Sequence, residues 1–389
     1  MVGPFTPIVP EYGPLNLSSL LPQVGRSLGV RGLVDESSLV GEANSGWAPL
    51  VPVKRSVVVL VDGLGAELLA RRGGHAPFLR SLMPGGRPAQ VGFPSTTATS
   101  MGSFGTGLTP GRHGLVGWEV LDPATDQVFN ELSWEGGPAP RLWQPHETVF
   151  QACEQAGVSV TRIGPGHFDG SGLTESALRG GRFVAAKSLS ERVDATVSAL
   201  RNSQRALVYL YWGDIDMVGH VHGCESPQWG AELESVDAEL QRLARLLPKA
   251  TSMHITADHG MVDVPMANRL DLAHEPDLDA GVRRLAGDPR AVQLHAEPGA
   301  ADDVIATWRE RLGERAVVLS REAAIADGWF GPTSMDVANR IGEIIVAMGP
   351  DLAVVDSRHH RPEFLALLGH HGSLTSAELS IPWLVVEPE

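Results

Sequence analysis

Short, largely apolar runs recur along the chain, and most are followed by a stretch in which apolar residues have helical spacing. Runs of this kind are typical of strands that are covered on both faces, as in an α/β protein with a mainly parallel sheet. The predicted strands are Ser56–Val61, Ala89–Phe93, Val158–Ile163, Ala206–Tyr211 and Met253–Ala257. The pattern therefore predicts a three-layer α/β/α fold around a central, mostly parallel sheet.

Three helices are predicted from the same periodicity. The clearest is Trp229–Leu247, in which apolar residues recur at steps of three and four while Glu and Arg occupy the other face. Leu64–Arg71 and Thr97–Phe104 are predicted as shorter helices that begin soon after strands.

Two segments do not show this alternation of strands and helices. Glu119–Pro145 contains two Trp and several Pro and Gly residues, which predicts a hairpin or an excursion from the core. Pro265–Asp356 is mixed, with a predicted helix at Ala301–Leu312 and strands at Ala291–Ala296 and Ala316–Leu319. We therefore expect a core formed by residues 1–264 and 357–389, with residues 265–356 inserted as a smaller cap or accessory subdomain.

The composition is that of a soluble globular protein, with 43% hydrophobic and 20% charged residues in a chain of 389. The formal charge of −15 argues against binding to nucleic-acid polymers or to anionic membranes, which attract basic surfaces. It does not exclude a small anionic substrate, because bound cations reverse the electrostatic field inside a pocket.

Cysteine content and targeting signals bear on the compartment. Only Cys153 and Cys224 are present, so a disulfide scaffold is excluded. The first 25 residues contain no Lys or Arg and no sustained apolar stretch, so no secretory signal is expected. The apolar runs are too short to span a bilayer. A cytoplasmic protein is therefore expected.

The informative polar residues follow the predicted strands. If these strands are parallel, the residues leave the sheet at its carboxyl edge, where open α/β sheets bind ligands. His371, near the end of the chain, can return to the same edge. In chain order, the residues are Asp62, Thr96, Thr97, Asp216, His220, Asp258, His259 and His371.

Carboxylates and imidazoles gathered at one edge need cations. Three Asp residues without adjacent Lys or Arg repel one another unless protons or metal ions intervene. A mixed Asp and His set suits Zn²⁺, with Mn²⁺ as the alternative, and six ligands with a hydroxyl can form two metal centres. A hydroxyl in the first turn of a helix beside a cation can act as a nucleophile, and the helix amides can bind an anion. The pattern predicts phosphoryl transfer through a covalent phospho-threonine.

Five short motifs carry a family resemblance. They are Val-Asp62-Gly-Leu, Phe-Pro-Ser-Thr-Thr97 with Thr-Gly-Leu-Thr-Pro-Gly-Arg-His113-Gly, Asp216-Met-Val-Gly-His220, Ala-Asp258-His259-Gly-Met and His371-Gly. In this order they resemble the alkaline phosphatase superfamily and, within it, the nucleotide pyrophosphatase/phosphodiesterase branch. The resemblance covers most of the chain and implies an alkaline phosphatase-like fold.

The resemblance also implies roles for individual residues. One zinc site would be formed by Asp216, His220 and His371. The other would be formed by Asp62, Thr97, Asp258 and His259. Thr97 rather than Thr96 is the implied nucleophile, His371 rather than His370 the implied ligand, and His113 is interpreted as a brace for the nucleophile helix. The implied activity is hydrolysis of a small-molecule phosphodiester or pyrophosphate.

Other functions remain open at this point. Relatives have an Asn after the His-Gly motif, whereas this chain has Gly117-Trp118, which weakens the case for a nucleotide diester. A phosphomonoesterase or a phosphonoacetate hydrolase-like enzyme is one alternative, and a monoester would require a cation such as Arg112 or Arg162. A non-catalytic protein that retains metal and binds a phosphorylated ligand is the other. The sequence leaves the substrate, the metal in the cell and the oligomeric state undetermined.

Overall fold

The computed structural model describes residues 4–33 and 49–389. Its strands are β1 (Arg55–Val61), β2 (Arg87–Gln90), β3 (Glu119–Asp122), β4 (Gln127–Asn130), β5 (Ser159–Gly164), β6 (Arg182–Ala185), β7 (Ala206–Trp212), β8 (Thr251–Thr256), β9 (Val262–Asp263), β10 (Arg269–Asp271), β11 (Val282–Asp288), β12 (Ala291–Ala296), β13 (Ala316–Ser320), β14 (Ile344–Met348), β15 (Ala353–Val355), β16 (Gly369–His370) and β17 (Ser380–Val386). Its α-helices are Leu17–Ser27, Ala66–Arg72, Pro77–Leu82, Thr97–Thr106, Pro110–His113, Pro140–Trp143, Val149–Gln155, Gly172–Ala177, Leu189–Arg201, Asp214–His222, Pro227–Leu246, Pro276–Asp279, Ala301–Leu312, Arg321–Ala326, Met335–Ala338, Pro362–Leu365 and Ser376–Leu379.

The central sheet has seven strands in the order β2-β17-β8-β1-β7-β5-β6. The five strands from β8 to β6 pair in parallel, and β17 is antiparallel to both of its neighbours. Val57–Val61 of β1 are fully buried on both faces of the sheet, as strands covered by helices on both sides should be. The predicted α/β/α fold with a mostly parallel sheet is confirmed.

The local predictions agree with the structure to different degrees. The bounds of β1, β5, β7 and β8 lie within two residues of the predicted strands, whereas β2 lies earlier than the predicted Ala89–Phe93. The predicted helix Trp229–Leu247 is present as Pro227–Leu246, and Leu64–Arg71 as Ala66–Arg72. Strand β17 was not predicted.

A second, antiparallel sheet has six strands in the order β13-β14-β12-β11-β3-β4. Strands β3 and β4 form a hairpin, which confirms the prediction for the segment that begins at Glu119. Strand β3 pairs with β11, so this hairpin joins a sheet whose other four strands lie between residues 282 and 348. The helix Ala301–Leu312 has the predicted bounds and buries Trp308 in the apolar cluster beside this sheet. The division of the chain into core and cap stays a prediction.

A buried ion pair joins the turn between β11 and β12 to the segment that follows His371. The Arg290 guanidinium donates to both carboxylate oxygens of Glu378, at 2.6 and 2.7 Å, and both side chains are fully buried. Glu378 also accepts from the amide of Ser373 at 3.0 Å. The pair therefore fixes the second sheet against the end of the chain that carries His371.

We expect Arg290→Met to lower the free energy of unfolding by about 3–5 kcal/mol, because the Glu378 carboxylate is left buried without its counter-ion. Urea denaturation measures this loss. Arg242→Met, which breaks an exposed pair with Asp194, is the matched control and should cost about 1 kcal/mol or less. Adding Glu378→Gln to Arg290→Met should recover part of the loss. Equal costs for the two single variants would contradict this account.

Within residues 4–33 and 49–389, none of the helices combines the length and the hydrophobicity needed to cross a lipid bilayer.

Candidate active site

Three parallel strands bring three aspartates to one edge of the central sheet. Asp62 directly follows β1, and its amide donates to the carbonyl of Trp212 at the end of β7. Asp216 lies in the helix that begins just after β7, and Asp258 lies two residues after β8. Gly63 has a φ of +72°, and a Cβ added there would lie 2.9 Å from Cβ of Asp216. Glycine at this turn therefore lets two of the acidic segments approach closely.

The predicted ligands form two clusters of three residues. In each cluster the possible ligand atoms lie within 4.8 Å of one another. The buried cluster contains Asp62, Asp258 and His259, and Nε2 of His259 lies 3.3 Å from Oδ1 of Asp62 and 3.6 Å from Oδ2 of Asp258.

The second cluster contains Asp216, His220 and His371, and is partly exposed. Nε2 of His220 lies 3.2 Å from Oδ2 of Asp216, and Nε2 of His371 lies 3.8 Å from Oδ1 of Asp216. The rings of His259 and His371 stack with their centroids 3.7 Å apart. The two clusters are therefore adjacent.

Backbone carbonyls orient all three imidazoles. Nδ1 donates to the carbonyl of Gly260 in His259 (3.1 Å), to that of Gly369 in His220 (2.7 Å) and to that of Ser95 in His371 (3.1 Å). Because a carbonyl only accepts, Nδ1 carries the proton and the lone pair is left on Nε2. Each Nε2 lone pair faces a carboxylate. A histidine that donates from Nδ1 to a carbonyl and keeps the Nε2 lone pair free is typical of metal-binding sites.

The carboxylates are not satisfied by the protein. Among the described residues, no hydrogen-bond partner reaches Oδ1 of Asp62, Oδ1 of Asp216 or Oδ2 of Asp258, although all three atoms are buried. Burial, together with the field of the neighbouring carboxylates, raises the pKa of Asp62 and Asp258. Burial also opposes ionisation of Asp216, but in the absence of a cation a protonated His220 beside it outweighs burial and holds the pKa of Asp216 below its usual range.

These observations test whether metal ions fit the site. Nε2 lone pairs and carboxylate oxygens converge with nothing positive between them, an arrangement that a divalent cation in each cluster would stabilise. Mixed nitrogen and oxygen donors suit Zn²⁺ or Mn²⁺. The residues present therefore fit two such cations.

Thr97, and not Thr96, faces the clusters. Thr97 is the first residue of the helix Thr97–Thr106, is partly exposed, and has its Oγ1 3.2 Å from Nε2 of His259. Thr96 is 2% exposed, and its side chain hydrogen-bonds with Asp288, a carboxyl whose pKa burial raises to about 7. The first-turn amides of a helix lack carbonyl partners within it, so they are available to an anion beside Thr97.

The neighbouring histidines have structural contacts. His370 is buried, and its Nε2 lies 3.2 Å from the carbonyl of Leu367, outside both clusters. His113 accepts the amide of Leu115 on Nδ1, so its Nε2 donates to the hydroxyl of Ser103 in the helix Thr97–Thr106. The interpretation of His113 as a brace for this helix is confirmed.

A cavity of about 600 Å³ opens onto the site and is lined by Thr97, Asp62 and Asp216. Its wall includes two residues that the sequence analysis missed, Tyr211 and Asn130. Tyr211 donates to Oδ2 of Asp62 at 2.5 Å, and its spacing from Tyr209 along β7 was the signal that could have revealed it. Nothing in the sequence pattern marks Asn130.

Trp118 lies in the segment where the sequence resemblance implied an Asn in relatives. Its ring stacks on Phe364 with the centroids 4.8 Å apart, and it lines the cavity. Asn130 pairs with Glu119 in the hairpin β3–β4 and lines the same cavity. Its Oδ1 accepts hydrogen bonds from two backbone amides at 2.9 Å, and these bonds do not involve its Nδ2 donor. The side chain of Asn130 therefore brings an amide donor to this part of the structure.

The fold is alkaline phosphatase-like, and a family comparison agrees. The model of the type I phosphodiesterase / nucleotide pyrophosphatase family matches residues 56–374. The chain belongs to this family, as the sequence resemblance implied.

Two curated relatives match part of the chain. An uncharacterised pyrophosphatase/phosphodiesterase of Schizosaccharomyces pombe is 28% identical over 218 residues, which are 53% of this chain and 44% of the relative. Human ectonucleotide pyrophosphatase/phosphodiesterase family member 5 is 26% identical over 192 residues, 45% of this chain and 38% of the relative. The aligned regions span less than half the length of these relatives.

Solved structures share the fold at low sequence identity. Murine ectonucleotide pyrophosphatase/phosphodiesterase 5 has a TM-score of 0.69 at 20% identity, over 86% of this chain and 88% of that one. An inactive threonine-to-alanine variant of the murine protein, in complex with AMP, has a TM-score of 0.67 at 19% identity, over 85% and 87%. Phosphonoacetate hydrolase from Sinorhizobium meliloti 1021, in complex with phosphonoformate, has a TM-score of 0.66 at 20% identity, over 87% and 92%.

Proposed function

We propose that this protein hydrolyses small-molecule phosphate esters, of the phosphodiester or pyrophosphate type, through a covalent intermediate on Thr97. The observation that carries the proposal is the position of the Thr97 hydroxyl beside two clusters of Asp and His, in which each Asp has one buried carboxylate oxygen without a hydrogen-bond partner among the described residues. Membership of the type I phosphodiesterase / nucleotide pyrophosphatase family supports it. So does the inactive threonine-to-alanine variant of the murine homologue.

Two metal ions, Zn²⁺ or alternatively Mn²⁺, are part of the proposal. Asp216, His220 and His371 would hold one, and Asp62, Asp258, His259 and Thr97 would hold the other. When bound, such cations lower the pKa of the nucleophile and neutralise charge on the attacking and leaving oxygens.

The chain's own groups then carry out two displacements. Oγ1 of Thr97 loses its proton and attacks phosphorus, so that an Oγ1–P bond forms while the bond to the leaving oxygen breaks and that oxygen takes up a proton. Water then attacks phosphorus, which breaks the Oγ1–P bond and restores the hydroxyl. The first-turn amides beside Thr97 donate to the non-bridging oxygens. Two in-line steps predict overall retention of configuration at phosphorus.

A substrate panel combined with elemental analysis tests this function. The metal-loaded protein is assayed with 4-nitrophenyl phosphate, bis(4-nitrophenyl) phosphate and phosphonoacetate. We expect about two metal ions per chain and the highest kcat/KM with the diester. A preference for the monoester or for phosphonoacetate would favour the corresponding alternative enzyme. Failure to turn over any of them at full metal occupancy would favour the non-catalytic alternative.

We expect Tyr211→Phe to weaken metal binding about 10- to 100-fold, because the Tyr211 hydroxyl orients the carboxylate of Asp62. Competition with a chromophoric chelator measures this affinity. Tyr209→Phe is the matched control on the same strand, because its hydroxyl contacts Sδ of Met101 at 3.6 Å instead of a carboxylate. Equal affinities in the two variants would show that the hydrogen bond to Asp62 has no such role.

A further inference from the structure

A single arginine lines the cavity beside the catalytic candidates. Of the described residues on the wall, Arg162 is the only Lys or Arg, and it is 7% exposed. It lies on β5 in register with Phe183 of β6 and Tyr209 of β7. Residues aligned on neighbouring parallel strands point to the same face of the sheet, so these three side chains form one continuous part of the wall.

The guanidinium of Arg162 has unused donors. Its Nε donates to the carbonyl of Gly180 at 2.7 Å, while neither Nη group has a hydrogen-bond or ion-pair partner among the described residues. Of the nearest acidic side chains, Glu175 is bound by Arg141 at 2.7 Å and Asp169 is exposed. Arg162 is therefore a buried cation whose remaining donors face the cavity.

Other buried arginines of this protein differ in this respect. Arg192, 5% exposed, donates to the backbone carbonyls of Ala186, Lys187 and Tyr211. Arg179, 6% exposed, likewise donates to three carbonyls. In both residues each Nη group has a backbone acceptor within the fold. The Nη groups of Arg162 instead open onto the cavity, so a ligand bound there can supply the acceptors that the fold does not.

The strand register separates Arg162 from the reacting atoms. Arg162 lies on the rung that contains Val58, four residues before Asp62 and two strands away from β1. Four residues along a strand and two strands across correspond to roughly 13 Å and 10 Å, so the two backbones lie about 16 Å apart. The Arg162 backbone thus lies toward the middle of the sheet, away from the edge that carries Asp62, and we infer that a group held by Arg162 is a part of the substrate other than the attacked phosphorus.

Aromatic rings form part of the wall of this cavity. The rings of Phe168 and Tyr211 lie 5.4 Å apart, and the ring of Phe183 lies 5.6 Å from Cζ of Arg162. Aromatic walls favour an apolar or planar body in the ligand. The free edge of a guanidinium matches the paired oxygens of a carboxylate or a phosphate.

We propose, on the basis of the function proposed above, that the preferred substrate has a second anionic group remote from the scissile phosphate, and that Arg162 binds this group. The group is a carboxylate or a phosphate, and a planar or apolar body connects it to the attacked phosphorus. Arg162 is thus a specificity-determining residue of the same site.

Three phosphodiesters that share a 4-nitrophenyl leaving group test this proposal. Their second substituents are phenyl, 4-carboxyphenyl and 4-phosphonophenyl, so that only the remote charge changes. We expect the wild-type protein to favour at least one charged diester by kcat/KM, and the preferred one identifies the anion. Arg162→Met should reduce the ratio of charged to neutral kcat/KM about 10- to 100-fold, chiefly through KM. Arg162→Lys should retain part of the preference.

Arg192→Met is the matched control, because it removes an equally buried guanidinium away from the cavity and should leave the ratio unchanged. Thermal melts of all variants show whether they are folded. A wild-type protein without preference for charge, or an Arg162→Met variant with the wild-type ratio, would overturn the proposal. If none of the diesters is hydrolysed, the proposed function fails instead. Calorimetric binding of the three compounds to the wild-type and Arg162→Met proteins then still tests Arg162.

Discussion

Replacing Thr97 by alanine is expected to lower kcat for the preferred diester on the order of 10⁵-fold, because the substitution removes the proposed covalent nucleophile. The Thr97 hydroxyl lies 3.2 Å from Nε2 of His259 and beside the first-turn amides of its own helix, whereas the hydroxyl of Thr96 is buried against Asp288. The six Asp and His residues proposed as ligands are untouched by the substitution. We therefore expect about two metal ions per chain to remain bound, as elemental analysis would measure.

Two variants make this prediction specific. Thr97→Ser keeps a hydroxyl at the same place and should retain measurable turnover. Thr96→Ala removes the neighbouring hydroxyl, which contacts Asp288 and not the clusters, and should retain most of the activity. If Thr96→Ala were inactive and Thr97→Ala active, the nucleophile would be Thr96, and the assignment to Thr97 would be wrong.

Removing the metal ions is expected to abolish turnover and to lower the stability of the fold by several kcal/mol. A ligand present at about 1,000 times its Kd stabilises a folded protein by about 4 kcal/mol, and two clusters, one buried and one partly exposed, are proposed to bind such ligands here. Dialysis against a chelator followed by thermal melts and assays measures both effects. Re-addition of Zn²⁺ or Mn²⁺ should restore both, whereas Mg²⁺, which prefers oxygen ligands, should do so poorly.

Asp258→Asn removes one of the carboxylates that repel one another, and it should therefore change the stability of the metal-free protein. Without metal, the variant should be more stable than the metal-free wild-type protein, and its stability should increase less when metal is added.

The metal-free wild-type protein should also lose stability as pH rises. Burial and mutual repulsion raise the pKa of Asp62 and Asp258 above their unfolded values, so the stabilising contribution of the protonated forms is lost as pH rises through those raised values. A metal-free protein as stable as the metal-loaded one would contradict this account.

The elements around the site were predictable because local pattern and local chemistry agree there. Strands β1, β7 and β8 are continuous apolar runs, and an Asp follows each, so the sequence alone predicts where carboxylates leave a parallel sheet. The choice of Thr97 over Thr96 depended on the spacing of a family motif. The structure gives it a physical basis, since Thr96 is buried against Asp288 while Thr97 faces His259.

Features that depend on pairing between distant segments were not predictable. Strand β17 is antiparallel in an otherwise parallel neighbourhood, and its partners β2 and β8 lie far from it in the chain. The hairpin β3–β4 adds to a sheet formed by residues more than 150 positions later. Arg162 was recognisable only as one of two candidate cations. That its Nη groups have no partner among the described residues is a property of the packed cavity and not of its sequence neighbours.

The central claim is that two clusters of Asp and His hold two cations on either side of an activated Thr97 hydroxyl. Anomalous diffraction from crystals of the metal-loaded protein, recorded at the absorption edges of zinc and manganese, tests it most directly. We expect two peaks, one within the cluster of Asp62, Asp258 and His259 and one within the cluster of Asp216, His220 and His371. Crystals of active, metal-loaded protein with no anomalous peak in either cluster, or with metal only at other positions, would contradict the account.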